Sequence, residues 1–313
     1  MPKIAFRWRM PPKFTPIHAG ELARRLASAQ PPVLLDVRLA EDCECLSLPD
    51  ARSNCVYEVA FSERMAAMAP DVATPVCVFG SAADSLESQM AAEKLCRLGY
   101  AEVLDFRDGV EGWSRAGYPL AGSGSSSANA PTIADGTHPI DLITSRIEWI
   151  GRNLLNHHRG TIGLKSGELR ITGGQLTGGH FVIDMQNIQC SDLAGDSLHD
   201  VLIQHLLSHD FFDSDHFPDA RFDITRAATL PDASPGAPNL TIAGTLLLKG
   251  VAKPIKFHAC SGLTAEGKLA AQATMAFDRT RWNVMYGSGR WFRHLGRHLV
   301  NDLIELQMRI VTE

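Results

Sequence analysis

Phe277-Asp-Arg-Thr-Arg-Trp-Asn-Val-Met-Tyr-Gly-Ser-Gly-Arg-Trp-Phe292, followed by His294-Leu-Gly296 and an alternating segment from Asp302 to Val311, reads as a barrel wall, a loop and the strand that closes the barrel. Met275 and Phe277 stand at interior positions of the wall. The glycines beyond them permit tight backbone turns, while Trp282, Tyr286, Trp291 and Phe292 supply large apolar surface. A mouth with so much aromatic cover points to an apolar cargo.

Working backward, period-two alternation runs through nearly all of the second half: Ile147/Trp149, Leu169/Ile171, Phe181/Ile183/Met185, Phe222/Ile224, Ile242/Leu246/Leu248, Ile255/Phe257, Leu269/Met275/Phe277 and Ile304/Leu306/Met308/Ile310. Eight or nine such strands joined by glycine-rich turns form a sandwich or a closed antiparallel barrel. One helix interrupts them. Leu198, Val201, Leu202, His205, Leu206 and His209 share a face, opened by Ser197 and Asp200 in a capping arrangement, ahead of Phe211 and Phe212. Small inward residues, Ala271, Ala273 and Gly244, leave room among the large ones.

The first half has a different rhythm. Glu21–Ser28 is helical, Pro32–Val37 and Pro75–Phe79 are short apolar runs, Ser85–Leu98 is helical through Ala91, Leu95 and Leu98, and Glu102–Phe106 precedes a helical piece around Trp113. Strands alternating with helices at this spacing predict a mainly parallel sheet covered on both faces. Between the halves, residues 121–136 are small, polar and pattern-free, a flexible linker. The domains expected are therefore 15–120 and 137–313, preceded by a basic arm over 1–14 with Lys3, Arg7, Arg9 and Lys13.

Composition bounds the function. With 313 residues, 45% hydrophobic and 21% charged, the chain has material for two packed cores. The net charge of -5 and the lack of any Lys/Arg-dense stripe exclude a nucleic-acid partner. No run of about 18 apolar residues predicts a membrane span, and the amino-terminal stretch lacks the apolar core of a secretory signal, so a cytoplasmic location is expected. Transient membrane contact through the basic arm is the extent of the expected membrane association. Seven cysteines without regular spacing fit reduced thiols. Cys43-Glu-Cys45 with Cys55 is spaced too tightly for a structural zinc site, and His205 with His209 lacks a third ligand at fixed spacing, so no metal site is expected.

Residues from about 15 to 120 resemble the rhodanese family through Leu35-Asp-Val-Arg38, Leu48-Pro-Asp-Ala51, Leu98-Gly-Tyr100, Asp108-Gly-Val-Glu-Gly-Trp113 and Gly117-Tyr-Pro-Leu120. The resemblance implies a loop after Phe79 in which a persulfide-bearing cysteine is cradled by backbone amides. Here that loop is Gly80-Ser81-Ala82-Ala83-Asp84-Ser85, without a cysteine, and Cys77 and Cys96 lie in the strand and helix beside it. Asp84, three residues ahead of Glu87, is placed to cap the helix and to repel an anionic sulfur donor. The domain is degenerate, and no catalytic residue is assigned.

Residues from about 138 to 313 resemble the YceI family through Ile147-Glu-Trp149, His157-His-Arg-Gly-Thr161, Leu164-Lys-Ser-Gly-Glu-Leu169, Leu176-Thr-Gly-Gly-His-Phe-Val-Ile-Asp-Met185, Leu207-Ser-His-Asp-Phe-Phe-Asp213, Phe217-Pro218, Leu246-Leu-Leu-Lys-Gly-Val-Ala-Lys-Pro254 and the run quoted above. The resemblance implies a lipocalin-like antiparallel barrel that holds long isoprenoid chains such as polyprenyl lipids or quinone tails. The expectation is thus an α/β rhodanese-like parallel sheet joined to an all-β barrel that sequesters an isoprenoid lipid or quinone without covalent chemistry or a required cofactor. Its ligand-binding residues are Trp149, Phe181, Ile183, Phe211, Phe212, Phe222, Phe257, Met275, Phe277, Trp282, Tyr286, Trp291 and Phe292. Two other readings stand beside it. One is sulfur transfer or thiol redox sensing through Cys43, Cys45, Cys55 or Cys77, with the barrel as regulator; the other is a structural barrel with a filled interior.

Overall fold

The computed structural model of the chain describes residues 14–124 and 132–313. The basic arm over 1–13 and residues 125–131 of the linker lie outside the described residues. The chain divides into two compact units, Met1–Ala130 and Pro131–Glu313.

The first unit runs β1 (Thr15–Ile17), α1 (Ala19–Leu26), β2 (Val33–Asp36), α2 (Ala40–Cys45), β3 (Arg52–Ser53), α3 (Phe61–Met68), β4 (Val76–Phe79), α4 (Glu87–Leu98), β5 (Val103–Phe106) and α5 (Gly109–Arg115). Its sheet has the order β1-β5-β4-β2-β3 with every neighbouring pair parallel. Adjacent residues of one strand enter opposite cores: Leu35 and Val78 pack with Phe61, Met65 and Leu95, while Leu34 and Cys77 pack with Leu104, Phe106 and Trp113. That two-sided burial is why β4 is apolar at all four positions. The Leu35-Asp-Val-Arg38 motif contributes a buried ion pair, with the Arg38 guanidinium 2.7 Å from Asp36 and the Ser47 hydroxyl donating to the same carboxylate at 2.6 Å.

The second unit holds β6 (Gly136–Pro139), β7 (Arg146–Arg152), β8 (His157–Thr172), β9 (Gln175–Cys190), α6 (Leu198–Leu207), β10 (Asp219–Thr229), β11 (Leu240–Leu248), β12 (Val251–Leu263), β13 (Leu269–Asp278) and β14 (Leu303–Val311). Among the described residues the sheet order is β6-β8-β7-β14-β13-β12-β11-β10-β9, and β9 returns to pair with β8. The pairing closes an all-antiparallel barrel of eight strands, with β6 as a short addition beside the far half of β8. Closure needs a strongly coiled hairpin. β8 and β9 supply it through three register shifts along their length. One continuous core fills the barrel, and Leu206 and Leu202 of α6 pack against it.

Two local expectations are corrected. Asp84 does not cap α4: the helix begins at Glu87, its cap position is Leu86, and the Ser85 hydroxyl accepts the Glu87 N–H at 3.4 Å. Ser197 likewise makes no capping bond to α6, where the Asp196 carboxylate accepts the Leu198 N–H at 2.8 Å instead. In both cases the turn preceding the helix sets which side chain faces the free amides, and that turn has no period to read. Among the described residues no helix is long and apolar enough to cross a membrane.

Candidate functional site

Because inward side chains alternate along each strand, the barrel interior is built in layers, and two cavities remain between them. The larger, about 110 Å³, is lined by Ile147, Trp149, Ile162, Ile183, Met185, Ile188, Leu206, Phe211, Phe212, Ala220, Leu246, Leu248, Phe277, Ile304 and Leu306, together with Gly151, Arg279, Val300 and Asn301. The smaller, about 40 Å³, is lined by Leu169, Leu176, Phe181, Phe222, Ile224, Leu240, Ile242, Phe257, Ala259, Ala271, Ala273, Met308 and Ile310, with Gln272 beside them. Six strands, β8, β9, β10, β11, β13 and β14, contribute to both. Leu306 faces the first and Met308 the second, Ile183 the first and Phe181 the second, Leu246 the first and Ile242 the second.

Between the two lies a layer containing Gly244 of β11 and Met275 of β13. Gly244 does not leave open space, as the sequence reading expects: a Cβ placed there would lie 2.5 Å from Cζ of Phe222. The missing side chain is replaced by that ring, which also meets Phe181 and Phe257 at 5.5 and 5.7 Å between centroids. Phe222 therefore partitions the interior.

The sequence-derived residues fall into distinct groups. Trp149, Ile183, Phe211, Phe212 and Phe277 line the larger cavity, and Phe181, Phe222 and Phe257 the smaller. Met275 packs against the core and lines neither. Trp282, expected near the mouth, is fully buried, with its indole N–H donating to the Leu246 carbonyl at 2.9 Å and its ring edge-on to Phe277. Tyr286 packs against His205 and does not face a cavity. Trp291 and Phe292 remain 59% and 48% exposed. The large rings of this loop thus divide between core and surface, and Trp282, the buried one, finds in the Leu246 carbonyl the acceptor that a buried indole N–H needs.

Arg279 is the residue that sequence reasoning misses. It follows the last barrel-wall residues, has no exposed surface, and lines the larger cavity. Its guanidinium turns away to the carbonyls of Asn301, Val284 and Val300 at 3.0, 2.5 and 3.2 Å, and sits 5.3 Å from the ring centre of Phe211. The cavity therefore meets its aliphatic stem. Burial pushes the Arg279 pKa down, with Asp302 and Asp278 acting against that shift. Val300 and Asn301 also line a surface depression with Leu154, Gly289 and Arg290.

In the first unit the loop Gly80–Ser85 rests on the start of α5, where Val110 and Glu111 donate to the carbonyls of Gly80 and Ser81 at 3.0 Å each. Gly109 takes φ +63°, and a side chain there would strike the backbone of this loop. The Ser81 N–H donates to the Glu87 carboxylate at 2.7 Å. The carboxylate that takes up a loop amide is thus Glu87 of α4, where the sequence reading places Asp84. Cys77 is fully buried and its thiol is pushed far above the ordinary range by burial; Cys43 is also raised, by burial and then by Asp36.

A closed antiparallel barrel of this size can enclose one small molecule, and here the internal cavity is lined almost wholly by hydrocarbon. Residues 139–312, more than half of the chain, match the YceI-like domain, and the chain belongs to that family. Similar solved structures include BcnA of Burkholderia cenocepacia, 17% identical over 56% of this chain and 99% of that one with a TM-score of 0.44. A polyisoprenoid binding domain from Saccharophagus degradans is 12% identical over 57% of this chain and 99% of its own, with a TM-score of 0.43. The rhodanese-like domain of an Anabaena protein is 22% identical over 41% of this chain and 89% of its own, with a TM-score of 0.31. No curated protein matches the chain.

Proposed function

We propose that the barrel binds and sequesters one long, slender apolar molecule of the isoprenoid class, a polyprenyl lipid or a quinone tail, without covalent chemistry. The observation that carries this reading is the larger cavity: its one charged lining residue, Arg279, is bonded away to backbone carbonyls. Each CH₂-sized group buried there gains about 0.8 kcal/mol, so an apolar chain needs no charged anchor. The cavity of about 110 Å³ is of the order of the roughly 150 Å³ void that accepts benzene in a protein core. It takes the first segment of such a chain, and a longer one advances only when the Phe222 partition moves. The depression at Val300 and Asn301 is the entrance.

The test is uptake of a short prenyl quinone by protein purified without detergent, followed by quenching of Trp149, whose ring lines the cavity while its N–H is held by the carbonyls of Thr161 and Gln189. Saturable quenching at one molecule per chain is expected. Ala220→Met, which fills the larger cavity from a buried position, is expected to weaken uptake about tenfold or more, since the loss of a few buried CH₂ contacts reaches that factor. Equal uptake by the two proteins would place the molecule elsewhere.

We infer that the α/β unit, rhodanese-like in its motifs, is a non-catalytic interaction or stability module. What supports this is the loop: a Cβ at Gly80 would lie 2.5 Å from the Glu87 carboxylate oxygen that the Ser81 amide already binds. Restoring a thiol alone therefore does not restore the cradle. Thiosulfate:cyanide sulfur transfer is expected at background for the parent chain and for Gly80→Cys, and above it only when Glu87→Gly is added, since the Glu87 Cβ itself would lie 2.9 Å from a Cβ at Gly80. Turnover in the parent that disappears on replacing Cys43, Cys45, Cys55 or Cys77 would establish the enzyme reading instead.

A further inference from the structure

The facing strands β8 and β9 carry a column of paired residues from the larger cavity outward: Ile162 lies opposite Ile188, and Gly160 opposite Cys190. Both isoleucines line the cavity. One step beyond, at the start of β8 and just past the end of β9, stand His158 and Asp192. The pairing is unusually close at Gly160, where any side chain would collide with the backbone of Gln189 and Cys190. That approach brings the two strand ends together.

Nδ1 of His158 lies 2.9 Å from one Asp192 oxygen, and Sγ of Cys190 lies 3.3 Å from the other. The three donor atoms fall within 4.8 Å of one another, and among the described residues this is the group of at least three His, Cys, Asp or Glu side chains so arranged. We propose that His158, Cys190 and Asp192 bind one borderline divalent transition-metal ion, of the Zn²⁺ or Co²⁺ kind, at the rim of the barrel.

The donor set matches that chemistry. A tetrahedral zinc ion with nitrogen and oxygen at about 2.0 Å and sulfur at about 2.3 Å separates its donors by roughly 3.2 to 3.6 Å, so the two contacts to Asp192 are already near that spacing, and His158 and Cys190, within 4.8 Å of one another, close onto the ion. Thiolate and imidazole favour Zn²⁺ or Co²⁺ over Mg²⁺ and Ca²⁺, which prefer oxygen. The Arg159 N–H donates to Asp192 at 2.7 Å and fixes the carboxylate from outside the donor set. The side chains of His158 and Asp192 are 40% and 24% exposed while Cys190 is buried, so an ion reaches the site from solvent and the sulfur stays shielded. On binding, the Cys190 thiol releases its proton to solvent, the hydrogen that His158 Nδ1 now donates to Asp192 also passes to solvent while Nε2 takes one up, leaving a neutral ring with Nδ1 free to ligate, and the bonds that both now make to Asp192 give way to bonds to the ion. Three protein ligands leave a fourth position for water.

Titration of the full chain with Co²⁺ tests the site. A near-ultraviolet thiolate-to-cobalt charge-transfer band saturating at one ion per chain is expected, and Cys190→Ser is expected to abolish it. His158→Ala is expected to weaken Zn²⁺ competition for that band by about tenfold or more. The proposal is overturned if the parent shows no such band, or if Cys190→Ser retains it at full strength, which would assign it to another of the seven cysteines. Should Cys190→Ser fail to fold, an unchanged Zn²⁺ affinity in His158→Ala overturns it equally. These readouts report the ligands themselves and do not depend on whether an apolar molecule enters the barrel.

Discussion

Phe222→Ala is expected to lower the stability of the barrel by about 3–5 kcal/mol, the usual cost of deleting a buried phenyl ring, and at the same time to lengthen the apolar chain it accepts. The ring is buried, contacts Phe181 and Phe257, and fills the space that Gly244 leaves in the layer between the two cavities. Removing it joins a void of about 110 Å³ to one of about 40 Å³ along the barrel axis. Two measurements read the outcome. Urea unfolding of the empty protein should shift to lower denaturant, and a tight long-chain prenyl quinone should recover part of the loss, by about 2.7 kcal/mol at a hundredfold excess over its dissociation constant. Across a series of tail lengths, affinity in the parent should level off earlier than in the variant. Identical chain-length profiles would show that Phe222 does not divide the interior.

What could be read from the sequence follows a physical line. Alternation with period two identifies inward residues because a strand must present one face to the core, and the strands from Ile147 to Ile310 are legible for that reason. Alternation does not say which inward residue meets a neighbour and which meets empty space. Ala271 and Ala273 border a cavity, whereas Gly244, equally small and equally inward, borders the ring of Phe222. That distinction depends on packing across the barrel, between strands distant in sequence. The loop after Phe277 is harder still, because Trp282 and Trp291 look alike in the chain, yet Trp282 is buried against Phe277 with its N–H on the Leu246 carbonyl and Trp291 lies at the surface. The same holds for the first unit, where a two-residue difference in the start of α4 gives the loop amide to Glu87 and not to Asp84. His158, Cys190 and Asp192 meet only because a long hairpin brings its ends together, and no spacing rule relates residues on opposite arms of such a hairpin.

Arg279→Met is expected to destabilise the barrel by about 3–5 kcal/mol and to speed release of a bound apolar molecule. The buried guanidinium ties together three carbonyls, those of Val284, Val300 and Asn301, which flank both ends of the loop between the 3₁₀ turn (Arg279–Trp282) and β14. Val300 and Asn301 are themselves part of the cavity lining. Methionine fills much of the volume but offers no donor, so the carbonyls lose their partner inside the protein, and each unpaired buried acceptor costs about 1–3 kcal/mol, less than additively. Arg279→Lys separates charge from geometry. Its ammonium is a point charge on a flexible stem and cannot span three acceptors with a planar fork, so it should recover only part of the lost stability. If the fork matters because it fastens the loop over the cavity, the release rate should follow the order Met, then Lys, then Arg from fastest to slowest, in step with the unfolding midpoints. A methionine variant that unfolds at the parent's denaturant concentration would mean that the three carbonyls find other donors, and Arg279 would then have no role in closing the barrel.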